Sequence, residues 1–287
     1  MEETIQNHSC AGCYHGRLRK TISGFRDRFA ASAVLILLAA CARPTRPANL
    51  NIAAAADLRF AFPALQQRFH ATRPEIMLTP AYGSSGNYYS QIRNGAPFDV
   101  FLSADVEYPR RLVAEGAAVA GSLFVYGTGR IVLWVPAQSP LDLDRLGIHA
   151  LEEPSVHHVA MANPRHAPYG RAAEAALRSL GVYDRIAPKL VIGENIAQTF
   201  EFVESGAAEA GLVAESLAVA PAARGKGRSW EVPPASYPPI EQCGVILSRA
   251  KGSRAATQFR AWMMGPQARA IFTQYGFSLP RRGSPGR

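Results

Sequence analysis

From Leu50 onward the chain repeats one pattern: a short apolar run, a junction of small or polar residues, then an amphipathic stretch at helical spacing. Strand candidates fall at 50–54, 76–82, 99–102, 131–135, 159–162, 190–192, 210–214 and 244–247. Helical stretches fall at 57–69, 85–93, 106–114, 170–180, 196–204 and 215–219, and two more, 253–264 and 267–275, close the pattern. In the first of these, Leu58, Phe60, Ala61, Leu65 and Phe69 recur on one helical face. Asn94-Gly95 stops the second. The run Ile131-Val132-Leu133-Trp134-Val135 has no polar alternation, as a strand buried on both faces requires. Strands alternating with helices predict an α/β fold with mostly parallel sheets. The 287 residues are enough for roughly two domain-sized cores, so the expectation is two lobes, each with its own sheet. Ligands in such folds sit at the carboxyl ends of strands, against helix N-termini.

Charge and composition narrow the function. Lys and Arg number 31 against 22 Asp and Glu, a net +9 that is scattered along the chain. No Lys/Arg block tracks a phosphate backbone, so no nucleic-acid partner is expected; attraction to small anions stays open. Hydrophobic residues at 48%, with 24 Gly and 21 Pro, exclude collagen, a disulfide scaffold and wholesale disorder. No apolar run reaches the ~18 residues of a membrane span.

The first forty residues read as an address. Arg17, Arg19, Lys20, Arg26 and Arg28 precede an apolar run at 29–40, too short to span and suited to a signal-peptide core. It ends in Leu38-Ala39-Ala40-Cys41, which resembles a bacterial lipobox with Cys41 as the lipidated residue. Pro/Arg-rich sequence follows, as a tether would. Upstream, His8, Cys10, Cys13 and His15 form an isolated CxxC without a second ligand pair, in a segment the signal would discard. An over-long gene start explains it. Cys243 is then left alone in the apolar run Cys243-Gly244-Val245-Ile246-Leu247, as a small core residue.

Four strand-to-helix junctions carry the chemistry. They are Ala53-Ala54-Ala55-Ala56-Asp57-Leu58, Tyr82-Gly83-Ser84-Ser85-Gly86-Asn87, the 163–170 segment with Pro168-Tyr169-Gly170, and Gly193-Glu194-Asn195-Ile196-Ala197. Helix starts offer unpaired N–H groups and about half a positive charge each, so several converging starts can hold an anion without a buried cation. Each junction also has a plain reading. Asp57 and Ser84 taken singly are ordinary N-caps, Tyr169 a surface aromatic, and His166 a loop histidine facing solvent.

The junctions together resemble the molybdate-binding proteins of ABC importers, the ModA family. The matching pieces are Ala54-Ala55-Ala56-Asp57-Leu58, Gly83-Ser84-Ser85-Gly86, the stretch Gly95-Ala96-Pro97-Phe98-Asp99-Val100-Phe101-Leu102-Ser103-Ala104-Asp105, and Pro168-Tyr169-Gly170. Gly265-Pro266-Gln267 and Tyr275-Gly276-Phe277 complete the match over 50–280. The resemblance implies a two-lobed type II periplasmic-binding fold that crosses between lobes near Gly129 and returns near Ile240. It implies residues 1–40 as signal peptide, 41–48 as lipidated tether, 49–128 with 240–280 as lobe 1, 129–239 as lobe 2 and 281–287 as a flexible tail. The implied ligand is a tetrahedral oxyanion, molybdate or tungstate, bound by hydrogen bonds with no metal directly coordinated and no cofactor. The expected ligand-binding residues are Ala56, Asp57, Ser84, Ser85, Tyr169 and Ile196. The implied setting is a monomeric, lipid-anchored, non-enzymatic protein on the periplasmic side of a bacterial membrane, delivering to an ABC permease.

Two departures from the family pattern bear on the site. Asp57 stands where members often have Ser or Asn, and a carboxylate facing a dianion is repelled by several kcal/mol at an effective dielectric near ~20. The expectation is therefore that the Asp57 N–H binds while its carboxylate turns away to cap a helix; a protonated Asp57 donating to the anion is the lesser alternative, since molybdate offers no compensating gain at neutral pH. Some members bring a Tyr hydroxyl from the position of Ala214; Tyr169 can supply that phenol instead, and His166 is a further candidate. The same fold binding sulfate or phosphate is the alternative. Phosphate stays open because an Asp can accept the proton of a monobasic ligand. From other classes come a ligand sensor and a serine hydrolase built on Ser85, His166 and Asp105. The hydrolase lacks the GxSxG spacing.

Overall fold

The computed structural model describes residues 48–279, all within one compact unit. The signal segment, Cys41, residues 42–47 of the tether and the 281–287 tail lie outside the described residues. Ten strands form two five-stranded sheets. The first holds β1 (Ala48–Ala55), β2 (Ile76–Gly83), β3 (Val100–Ser103), β4 (Phe124–Gly129) and β10 (Ile240–Ile246), in the order β2-β1-β3-β10-β4. The second holds β5 (Ile131–Pro136), β6 (Val159–Ala162), β7 (Leu190–Gly193), β8 (Ala210–Ala214) and β9 (Gly227–Glu231), in the order β7-β6-β8-β5-β9. The chain passes between sheets after Gly129 and returns between Glu231 and Ile240.

The two sheets share a topology. In the first, β1, β2 and β3 are parallel and β10 lies antiparallel between β3 and β4. In the second, β6, β7 and β8 are parallel and β5 lies antiparallel between β8 and β9. Each sheet is thus parallel except for one reversed strand, and that strand is the first the chain lays down on crossing over. The βαβ connections explain the parallel part. Arrival from the other sheet explains the reversed strand.

Helices α1 (Ala61–Thr72), α2 (Ser85–Arg93), α3 (Glu107–Ala114), α4 (Leu143–Leu146), α5 (Pro168–Ser179), α6 (Tyr183–Ile186), α7 (Ile196–Glu204), α8 (Glu215–Ala218), α9 (Arg254–Met263) and α10 (Pro266–Gln274) flank the sheets. The helix expected over 57–69 is divided: Ala56–Leu58 forms a separate 3-10 turn before α1 begins at Ala61. The helix expected from 170 begins earlier, with Pro168 at its first position, where the missing N–H costs nothing.

Two cores hold the sheets. Phe62, Phe69, Phe259 and Phe272 are fully buried around the first, with Phe69 edge-on to Phe259 at 5.4 Å. Trp134 on β5 and Phe200 on α7 meet at 4.8 Å in the second. All of 131–135 is buried, as expected of a strand covered on both faces. Burying one such aromatic contributes about 1.5–3 kcal/mol. Cys243 is buried and unpaired, and burial pushes its thiol up to about 12. Among the described residues no helix is long and apolar enough to cross a membrane.

Candidate anion site between the two sheets

The carboxyl ends of β1, β2, β3, β6 and β7 converge on one small cavity. Its wall is Ala55, Ala56 and Asp57 at the end of β1, Gly83, Ser84 and Ser85 at the end of β2, and Ala104 just after β3. The second sheet contributes Ala167, Pro168 and Tyr169 at the start of α5, and Asn195 and Ile196 at the start of α7. All six residues expected to bind ligand therefore line one cavity, drawn from elements up to 140 positions apart. Cys41 lies outside the described residues. Among the described residues that line the cavity none is Lys, Arg or His.

Donors at this site follow from how each helix begins. Pro168 has no N–H, so the first donor of α5 is Tyr169. Asn195 caps α7 by accepting from the N–H groups of Ala197 and Gln198 at 3.0 and 3.1 Å. The Ile196 N–H, one residue earlier, has no acceptor within its own helix. The Ser85 Oγ accepts from the Ala104 N–H at 3.0 Å, which anchors the oxygen and leaves its proton for another acceptor. Ser85 is 1% exposed.

Three expectations need correction. Neither Asp57 nor Ser84 caps a helix: no side-chain cap bond forms at the 3-10 turn, at α1 or at α2. The Asp57 carboxylate instead accepts through Oδ2 from the Tyr169 phenol at 3.0 Å, across the two sheets. That bond uses the phenol that was to reach the ligand. Ser84 Oγ donates to the His166 carbonyl at 2.6 Å and sits 3.0 Å from His166 Nδ1, so His166 is half-buried against Ser84 rather than facing solvent. The hydrolase arrangement is not assembled: Ser85 Oγ is on Ala104, the His166 ring is on Ser84, and Asp105 pairs with Arg171 at 2.5 Å.

Asp57 is fully buried, and burial raises its carboxyl from 3.8 to about 7. The Tyr169 hydrogen bond opposes that rise most strongly. The nearby N–H groups of Asp57 and Leu58 and the Gln242 amide also oppose it, though none reaches hydrogen-bond geometry on Oδ1, which has no partner. Burial, then the Asp57 charge, holds the Tyr169 phenol well above its ordinary value. Gln242 Nε2 lies 3.4 Å from the Tyr169 oxygen, and Gln242 Oε1 accepts from Tyr126 at 3.1 Å. Ser216 Oγ donates to the Asp57 carbonyl at 2.8 Å. These partners were missed in the sequence, where nothing links Gln242 or Ser216 to the junctions. Ala104 carried a signal, as part of the Ser103-Ala104-Asp105 motif.

More bonds join the two halves. Arg171 reaches Asp105 and donates to the Tyr108 hydroxyl at 3.2 Å, Asn87 donates to Glu194 at 2.9 Å, and Arg59 pairs with Glu201. Gly86 permits the approach: its N–H donates to the His166 carbonyl at 2.9 Å, and a Cβ there would meet that oxygen at 2.6 Å.

Two α/β halves of one topology, closed over a cavity walled by strand ends and helix starts, define a two-lobed solute-binding fold. The family model for bacterial extracellular solute-binding proteins matches residues 50–278, and the chain belongs to that family. It is 42% identical to the molybdate-binding protein ModA of Rhodobacter capsulatus over 200 residues, covering 70% of this chain and 77% of the relative. It is 38% identical to ModA of Azotobacter vinelandii over 242 residues, covering 84% and 94%. The solved periplasmic molybdate-binding protein of Azotobacter vinelandii superposes with a TM-score of 0.76 at 35% identity, covering 81% of this chain and all of that one.

Proposed function

We propose that the protein captures molybdate or tungstate outside the cytoplasm and delivers it to an ABC permease, without catalysing a reaction. The observation that carries this reading is the convergence of N–H groups and the Ser85 hydroxyl on a cavity with no cationic side chain. Ala56, Asp57, Ser84 and Ser85 belong to the half formed by 49–128 and 240–280; Tyr169 and Ile196 belong to the half formed by 129–239. The anion meets the first set, and closure brings the second. Closure excludes water and strengthens each hydrogen bond.

Neutral, fixed donors select by size and by the absence of protons. A tetrahedral oxyanion too small to reach both halves leaves donors unpaired, at about 1–3 kcal/mol each. The names of the relatives support molybdate as the occupant. A monomer anchored through a lipid on Cys41, on the periplasmic face of a membrane, completes the proposal.

A thermal-shift panel on protein starting after Cys41 tests it. Molybdate and tungstate raise the melting temperature at micromolar concentration, while sulfate and phosphate at the same concentration do not. Equal stabilisation by sulfate or phosphate would overturn the choice of ligand.

A further inference from the structure

Asp57 is part of the wall of this anion cavity. Asp57 is 0% exposed, its Oδ2 is taken by the Tyr169 phenol, and its Oδ1 has no hydrogen-bond partner. A carboxylate there is penalised twice, by loss of water and by any anion beside it. The Tyr169 oxygen faces the Gln242 amide donor, so the phenol proton is directed at Oδ2. A proton on the acid therefore resides on Oδ1, the oxygen left without a partner.

We infer that the protein takes up its oxyanion together with one proton, held on Asp57, so that the pair enters the closed cavity with one negative charge fewer. This rests on the anion-binding reading above and specifies the state of its site. The burial of Asp57 depends on closure. The carboxyl follows β1 of the first sheet, whereas Tyr169 on α5 and Ser216 on α8 cover it from the second. With the halves apart, Asp57 meets water and behaves as an ordinary acid. With the halves together, burial lifts it to about 7. The proton comes from solvent on closing and returns to it on release.

Among the described residues the elements around the turn provide no free counter-ion to do this work. The elements packed on the Ala56–Leu58 turn are α1, β2, α7 and α8. On α7, Glu201 pairs with Arg59 and Glu204 with Lys226; on α8, Glu215 pairs with Arg130. On α1, Arg68 and His70 are exposed. Tyr82 on β2, and Tyr126 and Tyr237 nearer the crossovers, are held neutral by burial. On α5, Arg171 is engaged by Asp105, another carboxyl that bridges the halves.

The sign follows from linkage. The closed state binds more protons than the open state between about pH 4 and 7, so anion affinity falls as pH rises through that window and levels off above it. Calorimetric titration of the protein with molybdate at pH 6, in two buffers of different ionisation heat, reads the proton directly. Wild type takes up close to one proton per anion, and Asp57→Asn takes up none. Between pH 5 and 8 the wild-type affinity falls roughly a hundredfold relative to that of the Asn variant. Tyr169→Phe keeps the uptake and moves its midpoint to higher pH, because the phenol hydrogen bond holds the carboxyl down. Molybdate binding by wild type without proton uptake, or equal uptake by Asp57→Asn, overturns the inference while leaving the ligand reading intact. Absence of molybdate binding removes both.

Discussion

The Ser84 hydroxyl and the His166 carbonyl join the two halves of the cavity, 2.6 Å apart and 82 positions apart in sequence. Ser84 stands at the N-cap of α2 yet does not cap it. Its hydroxyl is spent on closure, which leaves its backbone for the ligand. Ser84→Ala should lower affinity for every oxyanion alike, by about 1 kcal/mol or roughly fivefold. Calorimetry against several anions checks this; a change in their rank order would mean the Ser84 hydroxyl contacts the ligand.

Ser85 differs from its neighbour because its oxygen is pinned by the Ala104 N–H and its proton is left over. Ser85→Ala removes a ligand donor and also orphans a buried N–H. The expected loss is about 2 kcal/mol, roughly thirtyfold in affinity. Titration of the variant with molybdate measures it, and an unchanged dissociation constant would remove Ser85 from the site.

Gly86 sets how closely the halves approach. A Cβ there would lie 2.6 Å from both the His166 carbonyl oxygen and the Tyr108 hydroxyl. The backbone atom cannot move without shifting α5. Gly86→Ala should therefore hold the halves apart and weaken anion binding by about 1–3 kcal/mol. Small-angle scattering of the variant with saturating molybdate should report a larger radius of gyration than wild type.

Gln242 connects Tyr126 and Tyr169 beneath the cavity and is fully buried. Replacing it with Leu keeps the volume but removes the acceptor of the Tyr126 phenol, the donor to the Tyr169 oxygen and an offset to the Asp57 charge. Stability should fall by about 1–3 kcal/mol. In urea the midpoint should drop with an unchanged slope.

Much of the fold was legible because buried parallel strands and amphipathic helices leave strong patterns. Ser85–Arg93, Val159–Ala162, Ile196–Glu204 and Ala210–Ala214 match their sequence readings to the residue. The strands that went unread, β4 with Phe-Val-Tyr-Gly-Thr-Gly and β9 with Gly-Arg-Ser-Trp-Glu, are the edges at equivalent ends of the two sheets. Both carry glycine and polar residues in place of a continuous apolar run, so neither stands out in the sequence. The residues that line the cavity were legible as junctions. Their side-chain roles were not, because local rules offered Asp57 and Ser84 a cap while residues 112 and 82 positions away offered each a stronger partner. Tertiary competition of this kind leaves no trace in a local window.

A crystal structure with molybdate bound measures the central claim most directly. The account predicts the anion in the cavity, with the N–H groups of Tyr169 and Ile196 and the Ser85 Oγ each at about 3 Å from its oxygens. Molybdate held elsewhere, or held in the cavity with those three donors turned to other acceptors, would contradict it.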